Sequence, residues 1–165
     1  MIIAARVLIA TMAKNKSVPV IDARNLTRIY TLGHREVISI DNIYLDIAPG
    51  ELVVLKGNSG SGKSTLLSLI AGLDCPTQGY LTVADYDLTK ATPSELTYFR
   101  REVVGMVFQS FNLMPTLNVL ENACLPGLLA GKSADRMKSK ARELLEWLGL
   151  GTRWNQFGKP GNENC

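Results

Sequence analysis

Hydrophobic and polar positions along the chain alternate in ways that separate strands from helices. Val18 to Tyr30 reads as an extended segment, and Ile43, Leu45 and Ile47 alternate with polar neighbours at the end of a second one, Val37 to Ile47. Pro49-Gly50 then supplies a turn. Leu52-Val53-Val54-Leu55 is a short continuous apolar run, the pattern expected of a strand buried on both faces. It leads into the glycine-rich stretch Gly57 to Gly62, after which Lys63 to Ala71 predicts a helix closed by Gly72.

Cys75 to Gly79 carries turn residues, and Tyr80 to Val83 predicts a strand. Thr92, Pro93 and Glu95 have the spacing of a helix start, with Pro93 where no amide donor is needed and Glu95 able to reach back to the cap. Val103 to Gln109 is a second apolar run expected as a buried strand. The clearest helix spans about Ser133 to Leu148, with Met137, Ala141, Leu144, Leu145 and Leu148 on one face and Gly149 at its C-terminal cap. No internal repeat is visible. Strands alternating with helices predict an α/β domain with a largely parallel sheet.

Composition narrows the picture. The 165 residues fit one domain, and 46% hydrophobic with 20% charged residues is ordinary for a globular protein. A net charge of +3, from 18 basic and 15 acidic residues, is too small and scattered to point to nucleic acid. Cys75, Cys124 and Cys165 lie far apart and His34 is the one histidine, which argues against a zinc site and against a disulfide framework. His34 itself reads as a surface loop residue. Residues 1–11 form an apolar leader interrupted by Arg6, too short to span a bilayer and without the basic start of a signal peptide. Met12 is the expected start.

The chemistry sits in Gly57-Asn58-Ser59-Gly60-Ser61-Gly62-Lys63-Ser64, which fits GxxxxGK[ST] at every fixed position. Glycines let the backbone curl so that successive amides face phosphate oxygens. The following helix adds its unpaired N-terminal amides and the positive end of its dipole. Lys63 is placed to reach the β and γ phosphates, and the Ser64 hydroxyl to ligate magnesium. Thr65 completes the binding set. A chance match of this kind arises in roughly one in a hundred chains of this size. Here a buried apolar run precedes the loop and a helix follows it, the context the motif requires.

With these residues placed, the chain from about Val18 to Leu150 resembles the nucleotide-binding subunits of ATP-binding cassette (ABC) transporters, most closely the lipoprotein-release and macrolide-export branch. Ile29-Tyr30-Thr31-Leu32-Gly33 is similar to the A-loop, so the resemblance gives Tyr30 the role of stacking on adenine. The alternative is a tyrosine that packs on the sheet. Val104-Gly105-Met106-Val107-Phe108-Gln109 resembles the Q-loop, whose glutamine touches magnesium and the attacking water. By itself a glutamine there is a solvated loop residue. Asn118 to Asn122 with Leu125-Pro126 is similar to the helical region that meets the membrane partner, and its apolar residues are equally readable as core.

The resemblance implies a P-loop NTPase of the ABC type. Its parts are an N-terminal antiparallel β portion, a largely parallel core sheet and an incomplete helical subdomain. ATP and Mg2+ are the implied cofactors. The implied partners are an integral-membrane permease and a second ATP-binding subunit, with no nucleic acid, at the inner face of the cell membrane. The family also carries a Leu-Ser-Gly-Gly signature, an acid-ended strand with a catalytic glutamate, and a histidine, none of which follows Leu150 here. Thr152 to Phe157 is still family-like, whereas the likeness ends at Gly158 within a divergent segment 151–165 expected to be disordered. A frameshift or premature stop near codon 158 is the expected cause.

The function implied is the ATP-binding subunit of an export or lipoprotein-release system that energises a separate permease. This chain is expected to bind ATP and to hydrolyse it poorly alone, and to be marginally stable with exposed apolar edges. A non-catalytic protein that binds the permease or a full-length subunit is the competing class. A GTPase or nucleotide kinase is a third, disfavoured because no Asn-Lys-x-Asp base-reading motif is present.

Overall fold

The computed structural model describes residues 18–108 and 112–157. They form two compact units, divided after Val107. The leader 1–11, Met12, Gln109 and the segment from Gly158 lie outside the described residues.

The first unit is built on a hairpin. Strand β1 (Ile21–Leu32) pairs antiparallel with β2 (Arg35–Ile47), from Ile21 opposite Ile47 to Leu32 opposite Arg35. Gly33, with φ 62°, takes the first central position of the two-residue turn, where a positive φ preserves the twist of the flanking strands. His34 follows it and is exposed, as expected. The other edge of β1 pairs antiparallel with β3 (Gln78–Val83), which pairs in turn with β4 (Tyr86–Asp87), giving the order β2-β1-β3-β4. Ladder irregularities between Ala23 and Ile29 bend β1, with Asn25 at φ 49°.

Helix α1 (Lys63–Ile70) follows the glycine-rich loop and ends at Gly72, φ 63°. Helix α2 (Pro93–Glu102) opens with the expected capping box: the Glu95 amide donates to Thr92 Oγ1, and the Thr92 amide to Glu95 Oε2. Sheet and helices share one core in which Ile21, Leu26, Leu69, Leu81, Val83 and Phe99 are fully buried. The Phe99 ring packs against Tyr86 with centroids 5.5 Å apart.

The second unit is a helical hairpin. Helix α3 (Val119–Leu129) packs on α4 (Ala134–Trp147), and a Cβ at Gly127 would run into the Met137 thioether, so the glycine permits the close approach. Asn118 and Glu121 form a second capping box. The amides of Val119 and Leu120 donate to the carbonyls of Gln156 and Trp154, so the segment after α4 closes back on the start of α3. Thr152 to Phe157 is therefore structured in the part where it stays family-like.

Four expectations need correction. Leu52–Leu55 forms no strand and contributes a single β-bridge residue, Leu55, with Leu52 and Val54 exposed and Val53 and Leu55 half-buried. Val103 to Phe108 is likewise not a strand, and Val107 is 97% exposed. An apolar run acquires strand structure only against a neighbour whose N–H and C=O groups complete its ladder, and no such ladder is completed for either run among the described residues. The α/β class and the antiparallel N-terminal portion hold, but the largely parallel core sheet is not formed among these residues, where all strand pairs are antiparallel. On α4, Ala141 and Leu145 are buried and Met137 is half-buried, whereas Leu144 and Leu148 are exposed because α3 covers a narrower stripe than the sequence pattern offers.

Candidate functional site

The loop from Gly57 to Gly62 curls at two left-handed glycines, Gly60 (φ 79°) and Gly62 (φ 81°). Gly62 is the N-cap of α1 and lies directly on β2: a Cβ there would collide with the Ser39 carbonyl and the Ile40 side chain. A Cβ at Gly57 would meet Ser61 Oγ at 2.6 Å. Gly62 is thus required by close approach as well as by backbone angle, Gly60 is favoured by backbone angle alone, and Gly57 is limited only by the Ser61 side chain.

Lys63 folds back over this loop. Its Nζ donates to the Gly57 carbonyl (2.9 Å), the Asn58 carbonyl (2.6 Å) and Ser61 Oγ (2.9 Å), and the side chain is buried. The first helical bond of α1 runs from the Leu66 amide to the Gly62 carbonyl at 2.9 Å, so the amides of Lys63, Ser64 and Thr65 have no acceptor within the helix. Asn58, Ser59 and Ser64 are exposed. Thr65 Oγ1 shares a 2.7 Å hydrogen bond with Ser39 Oγ, which ties the start of α1 to β2. Amides without helical acceptors at the start of α1, a cation on the loop's inner side and a free hydroxyl at Ser64 are the kind of donor set that suits a polyphosphate. The site fits such a group.

The ABC transporter family model matches residues 40–161. An ABC transporter ATP-binding protein of Mycobacterium tuberculosis strain H37Rv is 45% identical over 139 residues, 84% of this chain and 56% of that protein. The chain belongs to the ABC transporter family. The macrolide export ATP-binding/permease protein MacB of Hyphomonas neptunium is 39% identical over 87% of this chain and 22% of its own length. The solved dimer of the ATP-binding cassette MJ0796, in a post-hydrolysis state bound to ADP and Pi, superposes with a TM-score of 0.77 at 36% identity, covering 85% of this chain and 61% of that one. The chain thus spans little more than half the length of the M. tuberculosis relative.

Within this ABC domain Tyr30 has partners that the sequence did not suggest. Its hydroxyl donates to Asp74 Oδ2 at 2.7 Å, and the Arg28 guanidinium lies 4.6 Å from its ring centroid. Arg28 also grips the same carboxylate with both arms, Nε to Oδ2 at 2.9 Å and Nη2 to Oδ1 at 2.6 Å. Partial burial pushes the Asp74 carboxyl up, but hydrogen bonds from Tyr30, the Cys75 amide and Arg28, with the Arg28 charge, hold it below the usual carboxylate range. Arg28 and Asp74 lie 46 positions apart, so no local pattern could pair them. Ser39 was missed for the same reason.

Among the described residues no three His, Cys, Asp or Glu side chains gather to hold a metal ion. Ser64 is the one expected magnesium ligand within them. No described helix is long and apolar enough to cross a membrane.

Proposed function

We propose that this chain is the ATP-binding part of an ABC-type export or lipoprotein-release system and energises a separate permease. The observation that carries the reading is the phosphate loop itself, with Lys63 gathered onto the loop's inner side beside the free amides of Lys63, Ser64 and Thr65. The amides of Gly57 to Thr65 hold the triphosphate, Lys63 exchanges its loop carbonyls for phosphate oxygens, and Tyr30 stacks on the base. The Ser64 hydroxyl would be a protein ligand for magnesium, which would supply neutralisation of the phosphate charge. Gln109 is assigned to the magnesium and water side by resemblance to the Q-loop. A second ATP-binding subunit is the expected partner, in line with the dimer solved for MJ0796.

Hydrolysis needs an acidic group to complete the magnesium shell and a group to orient water. Gln109 is the candidate for the second, by resemblance, and no acidic residue of this chain is assigned to the first. The chain alone therefore binds ATP without efficient turnover. Titration of the purified chain with ATP, alongside Lys63→Ala, tests this: saturable binding lost in the variant, with negligible phosphate release, is the expected result. Unaltered affinity in Lys63→Ala would remove the loop from the site.

A second reading, a non-catalytic protein that binds the permease or a full-length subunit, is favoured by the exposed apolar residues Leu113, Met114, Leu128 and Leu129 of the second unit. Retention of a permease in a pull-down by a chain whose Lys63→Ala variant is equally retained supports it.

A further inference from the structure

Tyr30 is held from two directions. Asp74 accepts from its hydroxyl, and the guanidinium that covers its ring is itself pinned by two bonds to Asp74, so ring, cation and carboxylate form a closed triangle. The carboxylate is further fixed by the Cys75 amide at 2.8 Å, and Thr77 Oγ1 accepts from the Ile29 amide at 3.0 Å. No other ring or cation is recorded against Tyr30 among the described residues.

The triangle is positioned by the same elements as the phosphate loop. Along the β1–β2 ladder Arg28 faces Ile40 and Tyr30 faces Val37, while Ser39 and Ile40 are the residues against which Gly62 and Thr65 rest. Tyr30 therefore lies two residues along β1 from the level of the loop, about 7 Å at the usual rise per residue. A ribose can bridge such a step. At the other end of α1 the chain continues directly to Asp74, so the helix that begins in the phosphate loop leads to the group that orients the ring.

We infer that Arg28 and Asp74 are positioning residues that hold Tyr30 as a one-sided stacking platform for the nucleobase. Arg28 occupies one face and leaves the opposite face to the base, producing a guanidinium–phenol–base stack in which the cation and the base share the ring. This rests on the proposed base-stacking role of Tyr30 and adds to it the groups that set the ring's angle. The competing role for the triangle is a brace that ties β1 to the connection between α1 and β3. A brace affects the whole domain, whereas a platform affects only ligands that carry a base.

The test measures dissociation constants for ATP and for inorganic tripolyphosphate, with magnesium, on the full chain and on Asp74→Asn, Tyr30→Phe, Tyr30→Ala and Arg28→Lys. Tyr30→Ala is expected to weaken ATP by roughly 5- to 100-fold, and Asp74→Asn, Arg28→Lys and Tyr30→Phe by roughly 3- to 10-fold. Tripolyphosphate should change by less than about twofold in each case. Asp74→Asn should have no further effect on ATP once Tyr30 is alanine. If Tyr30→Ala leaves ATP binding unchanged, the stacking role itself is wrong. If Tyr30→Ala weakens ATP while the other three variants do not, only the positioning role is overturned. Equal loss of ATP and tripolyphosphate in Asp74→Asn identifies a brace and also overturns it. Should Asp74→Asn fail to fold, Tyr30→Phe decides, since it keeps the ring and the Arg28–Asp74 pair.

Discussion

Glycine 62 combines two demands that a single residue type can meet. Its φ of 81° disfavours any side chain, and its α-carbon lies where a Cβ would strike the Ser39 carbonyl and Ile40. Gly50 has a similar φ of 80° but nothing within 4 Å of the Cβ position. Gly62→Ala is therefore expected to cost clearly more than Gly50→Ala, which bears backbone strain alone and loses on the order of 1 kcal/mol. Chemical denaturation of both variants measures the difference, and equal losses would show that close approach to β2 is unimportant. At this scale the phosphate loop was legible because its residue spacing is local, whereas the contact of Gly62 with Ser39 and Ile40 on β2 was not. Nor was the Arg28–Tyr30–Asp74 triangle. Tyr30 could be singled out by its neighbours, but the carboxylate that orients it arrives from 44 positions away.

Elements were legible where their signals lie within one turn. The Thr92–Glu95 capping box and Gly149 after α4 are both found where the sequence placed them. The Asn118–Glu121 box carries the same spacing and was passed over in favour of a partner-contacting role. Asn118 Oδ1 accepts from the Glu121 amide at 2.9 Å, while the carbonyls of Gln156 and Trp154 serve the two amides before the Asn122 turn begins. Asn118→Ala should destabilise α3 by about 0.5–2 kcal/mol. Faster hydrogen exchange at the Glu121 amide, with α1 amides unaffected, is the expected readout. Leu52–Leu55 and Val103–Phe108 were misread because apolarity reports that a segment prefers to be covered. It does not report that a strand partner is present to cover it.

For the molecule as a whole, those uncovered runs matter more than net charge. Leu52, Val54 and Val107 are 70%, 45% and 97% exposed, at positions that join no strand among the described residues. Such segments invite edge-to-edge pairing with other chains. Leu52→Lys combined with Val107→Lys is expected to lower self-association while shifting the thermal midpoint little, since neither side chain contributes to the core. Light scattering against concentration, paired with calorimetry, measures both effects; unchanged scattering would locate the association elsewhere.

The lysine folded over the phosphate loop has a consequence for how a ligand is received. Its ammonium already draws the Gly57 and Asn58 carbonyls and Ser61 Oγ together, so the curvature of the loop is maintained by the chain itself. In the proposed role of this loop, an arriving anion would meet a preorganised cradle, with the conformational entropy of shaping it lost during folding instead of at the moment of capture. Recognition then becomes an exchange of acceptors around one cation, with the amide framework waiting unchanged beneath it.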